Sequence, residues 1–175
     1  MQHFLSTIDW SREELEDILK VAAELKEEPI RNSLKGKSIA LLFLNPSMRT
    51  RTSFDLGMQQ LGGIAIVLQP GKDAWGVEFE PGAIMEDEAE EHIAEVAGVL
   101  SRYCDLIGIR AFPKFQDWSR DRTDFVIKAL AEHSSVPVIR MGVVGGGDDL
   151  KRMSPSNQQN GVQQVPKIPV ELFGL

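Results

Sequence analysis

One short stretch of the sequence carries residues that are suited to binding an anion. It reads FLNPSMRTRTSF (Phe43 to Phe54), an apolar run that ends at a proline and is followed by a helical pattern. Ser47 is placed to cap that helix, whose free N–H groups lie at the positive end of the helix dipole. Arg49 and Arg51 add positive charge, and Thr50 adds a second hydroxyl group. These residue types predict an oxyanion or phosphate site.

A second interpretation of the same stretch stays open. Ser47 can serve as a helix cap alone, with Arg49 and Arg51 pairing on the surface with acidic neighbours such as Asp55. The stretch matches neither G-x-x-x-x-G-K-[ST] nor G-x-G-x-x-G, so a nucleotide site has no motif support.

The elements around this stretch predict a parallel sheet. Four short apolar runs alternate with helical patterns, as expected for buried strands joined by right-handed crossovers. The fold class is α/β, a doubly wound four-stranded parallel sheet with flanking helices. We predict strands at 38–44, 64–68, 105–109 and 136–141, helices after a Ser11–Glu14 capping box and at about 49–61, 88–103 and 120–132, and a loop at 69–82.

A further cationic residue, Arg110, directly follows the third predicted strand. In open α/β sheets of order 2-1-3-4, ligands bind where strands one and three end, because the winding reverses there. Residues 47–51 follow strand one, so the two cationic groups face one crevice if the strands have this order. The competing interpretation of Arg110 is a salt bridge at the strand end.

Composition narrows the class of protein. The 175 residues, 42% of them hydrophobic and 26% charged, can form one domain with an ordinary core. The net charge of -7 argues against a nucleic-acid partner, which requires a basic face. The single cysteine, Cys104, indicates a reducing compartment, and we expect it in the core rather than as a nucleophile. No apolar run approaches about 20 residues, so we expect no membrane partner and a cytoplasmic location.

The sequence SMRTR at residues 47–51 resembles the Ser-x-Arg-Thr-Arg carbamoyl-phosphate signature of the aspartate/ornithine carbamoyltransferase family. Three further stretches match the family: GGIAIVLQPGKDAW, EEHIAEVAGVLSRYCDLIGIRAFPKF and VPVIRM. The resemblance covers about residues 3–141, and it fits the branch of the family that acts on N-acetylornithine better than the other branches.

The resemblance implies a role for each matching residue. Carbamoyl phosphate would be bound by Ser47, Met48, Arg49, Thr50 and Arg110, with Met48 contributing its backbone. Arg49 would hold phosphate oxygens, while Thr50 and Arg110 would reach the carbonyl oxygen; these three are the expected catalytic residues. The implied reaction transfers the carbamoyl group to N-acetylornithine, giving N-acetylcitrulline and phosphate in arginine biosynthesis, with no metal or organic cofactor.

The resemblance also implies two residues outside this stretch. Trp75, on the QPGKDAW loop, would enter the site of a neighbouring subunit, so a homotrimer is expected. Glu90 matches a position that distinguishes acetylated from succinylated ornithine, because a glutamate there would repel the succinyl carboxylate.

The chain departs from the family after Met141. Family members continue with a glutamate, a His-Pro-Cys-Gln motif and a second domain for the amino-acid substrate, whereas here a Gly/Gln-rich segment follows. His92, which we expect within a helix, does not replace the family histidine. We predict a carbamoyl-phosphate-binding domain at 1–141, an irregular or disordered tail at 142–175, and weak or no turnover. The alternatives are a carbamoyl-phosphate or phosphate-binding module without turnover, and an ornithine carbamoyltransferase.

Overall fold

The described part of the chain contains four α-helices and six strands. The computed structural model describes residues 2–80, 82–83, 89–112 and 123–142, with residues 89 and 90 described by their backbone alone. The predicted tail therefore lies outside the described residues, apart from Gly142. No helix among the described residues is long and apolar enough to cross a membrane.

The elements in chain order are a 3-10 helix (Thr7–Asp9), α1 (Arg12–Glu27), β1 (Ser38–Phe43), α2 (Met48–Gln60), β2 (Ile64–Leu68), β3 (Gly76–Glu78), β4 (Ala89–His92), α3 (Ile93–Tyr103), β5 (Leu106–Arg110), α4 (Phe125–His133) and β6 (Val138–Arg140).

Four of the strands form one parallel sheet in the order β2-β1-β5-β6. This is the order 2-1-3-4 on which the expected crevice depends, and the predicted α/β class is confirmed. Phe43, the last residue of β1, is the register partner of Arg110, the last residue of β5. The segments that follow these two strands therefore begin side by side, at the position where the sheet order reverses.

The sheet is buried on both faces because alternate side chains of β1 belong to two separate clusters. Ala40 and Leu42 pack with α3 and α4, whereas Ile39, Leu41 and Phe43 pack on the opposite face with α2. All five are at most 3% exposed. Burying a large aliphatic or aromatic side chain contributes about 1.5–3 kcal/mol to the free energy of folding, so the SIALLF run stabilises the fold. Its side chains are buried, and the residues suited to binding a ligand lie beyond the strand ends.

The amino-terminal segment covers the β6 edge of the sheet. Phe4 N donates to Val138 O at 2.8 Å, and Arg140 N donates to Phe4 O at 2.9 Å. An uncovered edge strand presents a row of unpaired N–H and C=O groups, which invites pairing with other chains. The first residues of the chain thus protect one side of the sheet.

Helix starts follow the local capping signals where the sequence has them. The capping box that begins α1 is present, since Glu14 N donates to Ser11 Oγ at 3.2 Å and Ser11 N donates to Glu14 Oε2 at 2.7 Å. The fourth described helix runs from Phe125 to His133, and the predicted start near residue 120 lies outside the described residues. Its N-cap, Asp124, has a left-handed backbone (φ 55°) and makes no side-chain cap bond.

Two predictions around the third helix are wrong. The helix expected from residue 88 begins at Ile93, because residues 89–92 form β4, parallel to β3. The strand β3 itself lies within the predicted loop 69–82. His92, expected inside the helix, is the N-cap, and its Nδ1 accepts from Ala94 N at 3.2 Å. Pairing between distant segments has overridden the helical propensity of the Ala/Glu-rich sequence.

Candidate functional site

Four residues separate the end of β1 from the start of α2, and the last of them, Ser47, caps the helix. Ser47 Oγ accepts a hydrogen bond from Thr50 N at 3.2 Å, as the sequence predicts. The first N–H groups of a helix have no acceptor within it, which leaves those of Met48 and Arg49 able to bind an anion. The Met48 side chain is 83% exposed, so only its backbone can serve such a site.

Thr50 supplies the buried hydroxyl at this helix end and is 2% exposed. Its Oγ1 accepts from Ser47 Oγ at 3.0 Å and from Arg110 Nη1 at 3.3 Å. A hydroxyl has two lone pairs and one hydrogen. Because both lone pairs are engaged, the Thr50 hydrogen is left to be donated to an oxygen of a bound molecule.

Arg110 reaches Thr50 from the end of β5. Its Nη1 also donates to Met141 O at 3.3 Å, and its guanidinium carbon lies 4.3 Å from the centroid of the Phe112 ring. Its Nε is buried and has no hydrogen-bond partner among the described residues. An unpaired buried donor costs free energy until an acceptor reaches it, so this side chain is suited to hold an oxygen atom of a ligand.

Three arginines, Arg49, Arg51 and Arg110, lie at or just after the ends of β1 and β5, and no carboxylate of the described residues pairs with them. Burial, followed by the charge of Arg49, lowers the pKa of Arg110. Among the residues the structure describes, none of Arg49, Arg51 and Arg110 forms a salt bridge. Asp55 instead accepts from Gln59 Nε2 at 2.9 Å. The surface-pairing interpretation of the two α2 arginines and the salt-bridge interpretation of Arg110 therefore find no support in the described part of the chain.

Glu90 lies in the small β3–β4 sheet and Trp75 lies directly before it, so neither belongs to the α2 N-terminus. Trp75 immediately precedes β3 and is 61% exposed. The β3–β4 register shifts after Gly76, so Glu90 has no register partner in β3. Within the described residues, no hydrogen bond or ring contact joins Trp75 to residues 47–51 or to Arg110.

Comparison with known proteins identifies the family of this chain. The family model for the carbamoyl-P binding domain of aspartate/ornithine carbamoyltransferase matches residues 2–145. The chain belongs to the aspartate/ornithine carbamoyltransferase family. N-acetylornithine carbamoyltransferase of Xanthomonas campestris pv. campestris is 62% identical over 144 residues, which cover 82% of this chain and 42% of that protein. Ornithine carbamoyltransferase of Pelobacter propionicus is 37% identical over 142 residues, covering 79% of this chain and 39% of that protein.

A solved structure of the family has the same architecture. It is an N-acetyl-L-ornithine transcarbamylase variant, with a glutamate replaced by serine, complexed with carbamyl phosphate and N-succinyl-L-norvaline. It superimposes with a TM-score of 0.80 at 63% sequence identity, and the match covers 81% of this chain and 43% of that one. The chain thus spans less than half the length of the relatives it matches. The identity is higher to the N-acetylornithine enzyme than to the ornithine enzyme, as the stretches SMRTR and QPGKDAW predict.

In this member of the family, two residues that sequence reasoning did not single out lie beside Arg110. Asn45 Oδ1 accepts from Phe112 N at 2.8 Å, and Phe112 lies against the Arg110 guanidinium. The sequence offers a signal only for Phe112, an aromatic residue two positions after a strand-end arginine. Asn45 before a proline is typical of an ordinary strand end.

Cys104 and His92, the other residues considered for chemistry, are engaged in the core or in backbone contacts. Cys104 is buried, and that burial raises its pKa, which fits the expected core role. His92 Nδ1 accepts a hydrogen bond, so its Nε2 carries the hydrogen and donates to Glu80 O at 3.0 Å. In the described part of the chain, no group of three or more His, Cys, Asp or Glu residues is arranged to hold a metal ion.

Proposed function

We propose that the α2 N-terminus and the end of β5 together bind carbamoyl phosphate. The observation that carries the proposal is the Thr50 hydroxyl, buried between Ser47 and Arg110 with its hydrogen left to donate. The match to a family model for a carbamoyl-P binding domain supports the choice of ligand. The residues we assign to the ligand are Ser47, Met48, Arg49, Thr50 and Arg110.

The two ends of the ligand call for different partners. The phosphate group fits the helix N-terminus, where the N–H groups of Met48 and Arg49 and the Arg49 guanidinium offer donors. The carbonyl oxygen fits between the Thr50 hydroxyl and Arg110, whose Nε lacks an acceptor in the described residues. Each charge-assisted hydrogen bond contributes about 1.5–3 kcal/mol, so Arg49 and Arg110 would supply most of the affinity.

For the whole protein, we propose carbamoyl transfer to N-acetylornithine in arginine biosynthesis. The amine of N-acetylornithine forms a C–N bond to the carbonyl carbon, and the carbonyl oxygen gains negative charge. The carbon–oxygen bond to phosphate then breaks and the nitrogen releases a proton, giving N-acetylcitrulline and phosphate. Arg110 and Thr50 stabilise the charge on the oxygen, and Arg49 with the helix N-terminus stabilises the departing phosphate. The identity to the acetylornithine enzyme supports this substrate over free ornithine.

Trp75 and Glu90 are assigned to the second substrate and to assembly. We propose that the exposed indole of Trp75 contacts the site of a neighbouring subunit in a cytoplasmic homotrimer. We assign Glu90 to discrimination between acyl groups, since a carboxylate there repels a succinyl carboxylate. A glutamate-to-serine variant of an acetylornithine relative is complexed with N-succinyl-L-norvaline, which supports a glutamate in this role.

A second candidate function is binding of carbamoyl phosphate or phosphate without turnover. The family model that matches this chain is one for a carbamoyl-P binding domain, which favours this candidate for the matched residues 2–145. The two candidates share the anion site and differ in whether N-acetylcitrulline is formed.

Calorimetric titration of carbamoyl phosphate into the 175-residue chain tests the shared site. We expect saturable binding that Arg49→Ala weakens at least about tenfold, the loss of one charge-assisted contact. Arg102→Ala is the matched control, because Arg102 is an exposed arginine in the last turn of α3, near the opposite end of the sheet. Absence of binding by the unmodified chain, or equal affinities in both variants, would overturn the proposal. Formation of N-acetylcitrulline in proportion to protein concentration would decide for the transferase.

A further inference from the structure

The guanidinium of Arg110 is held by weak polar contacts. Its two Nη1 hydrogen bonds, to Thr50 Oγ1 and Met141 O, are both 3.3 Å long, beyond the usual N–H···O range. Its Nε has no partner, and no carboxylate pairs with it among the described residues. The plane of a guanidinium decides where its hydrogens point, so something other than these bonds has to fix that plane.

The Phe112 ring lies over this guanidinium, with 4.3 Å between the ring centroid and Arg110 Cζ. An aromatic face attracts a cation and restricts it to a stacked plane. The ring itself is backed by the chain at Gly142, where a Cβ atom would lie 2.9 Å from Phe112 Cε1. Gly142 thus leaves the ring space that any side chain at residue 142 would occupy.

Asn45 fixes the backbone that carries both residues. Its N and the N of Leu44 donate to Arg110 O at 3.3 Å and 3.0 Å, and its Oδ1 accepts from Phe112 N at 2.8 Å. The Asn45 side chain thus continues the β1–β5 ladder beyond the last strand pair, Phe43 and Arg110. A side chain without an acceptor oxygen at position 45 would leave Phe112 N unpaired and free the segment that follows β5.

We propose that Phe112 and Asn45 are positioning residues that hold the Arg110 guanidinium in the orientation required for the carbonyl oxygen of carbamoyl phosphate. The ligand half of this inference rests on the proposed function. Neither residue is assigned to the ligand itself. Their effect is expected on the carbonyl half of the site and not on the phosphate half at the α2 N-terminus.

The first test needs no ligand and follows the Nε–H resonance of Arg110 by NMR in the full chain. We expect a resonance displaced by the aromatic ring and protected from exchange with water. Phe112→Tyr should keep both properties, whereas Phe112→Leu and Asn45→Ala should lose the protection. Phe54→Leu, which removes an aromatic ring that packs in the apolar cluster beside α2, is the control. An Arg110 resonance equally protected in Phe112→Leu and Asn45→Ala would overturn the positioning role, whatever ligand the chain binds.

The second test compares carbamoyl phosphate with inorganic phosphate in the same variants. Phe112→Leu should weaken carbamoyl phosphate about tenfold and phosphate less than about twofold, with Phe112→Tyr restoring the affinity. An equal loss for both ligands would indicate a structural role only, and no loss would refute the inference while leaving the proposed function intact. If the unmodified chain binds phosphate but not carbamoyl phosphate, the proposed ligand is wrong and the NMR result decides the positioning role alone.

Discussion

Thr50 and Arg110, which are 60 residues apart in the sequence, meet with 3.3 Å between Oγ1 and Nη1. The contact follows from the strand order, because β1 and β5 are direct neighbours and their last residues, Phe43 and Arg110, are register partners. A helix start that follows one strand and an arginine that ends the other are thereby placed side by side. The candidate site is thus a consequence of the reversal in the sheet order, and the contact itself can be tested by removing one hydroxyl.

Replacement of Thr50 by valine should impair the site with little change in shape. The variant removes the acceptor of Arg110 Nη1 and the hydrogen we assign to the ligand, so we expect carbamoyl phosphate affinity to fall about tenfold or more. Thr52, exposed on the same helix, gives the matched control Thr52→Val. Calorimetric titration of both variants checks the prediction, and an unchanged Kd in Thr50→Val would show that the hydroxyl does not contact the ligand.

Replacement of Ser47 separates its capping role from its place in the anion site. Ser47→Ala removes the cap and should lower the free energy of unfolding by about 1 kcal/mol. Ser47→Asp should retain the cap, since a carboxylate also accepts from Thr50 N, but its negative charge should abolish anion binding. Urea denaturation and phosphate titration measure the two effects. Normal phosphate affinity in Ser47→Asp would place the anion elsewhere.

Features that depend on neighbouring residues in the sequence could be predicted, whereas contacts between segments far apart in the sequence could not. The buried strands, the α2 cap and the cationic stretch 47–51 are visible in the sequence, because each depends on residues within one turn or one strand. The pairing of β3 with β4 is not, since it joins segments whose composition favours a loop and a helix. The contacts of Asn45 and Phe112 with Arg110 were missed for the same reason, because they depend on the register between β1 and β5.

The ion pair between Arg140 and Asp124 is predicted to be a major stabilising contact. Arg140 Nη1 and Nη2 each donate to one Asp124 carboxylate oxygen at 2.9 Å, and Arg140 is only 8% exposed. Asp124→Asn keeps a residue that tolerates the left-handed backbone but leaves the buried guanidinium without its counter-charge. We expect the free energy of unfolding to fall by about 2–3 kcal/mol.

The exposed pair of Lys20 with Asp17 is the control for that prediction, at 2.7 Å between Nζ and Oδ1. Asp17→Asn removes the same charge from the surface and should cost less than about 0.5 kcal/mol. Urea denaturation at neutral pH measures both variants. Similar losses in Asp124→Asn and Asp17→Asn would mean that burial of the first pair adds nothing.

The contact between the amino-terminal segment and β6 should lose stability at acidic pH, because His3 takes part in it. Val138 N donates to His3 Nδ1 at 3.1 Å, which requires a neutral imidazole. Burial, and then the positive charge of the amino terminus, lowers the pKa of His3 in the folded chain. The unfolded chain therefore binds a proton at higher pH than the folded one. The contribution of His3 is fully present above its ordinary pKa of about 6.5 and is lost as the pH falls through the lowered folded value.

Comparison with His3→Asn isolates this contribution, because the asparagine Oδ1 can accept the same N–H and does not titrate. Between about pH 7.5 and about pH 5, the free energy of unfolding should fall further in the unmodified chain than in the variant, since only the imidazole takes up a proton on unfolding. Urea denaturation across that range provides both curves. Parallel curves would mean that His3 titrates alike in the folded and unfolded chains, and the bond to Val138 N would then not depend on the neutral imidazole.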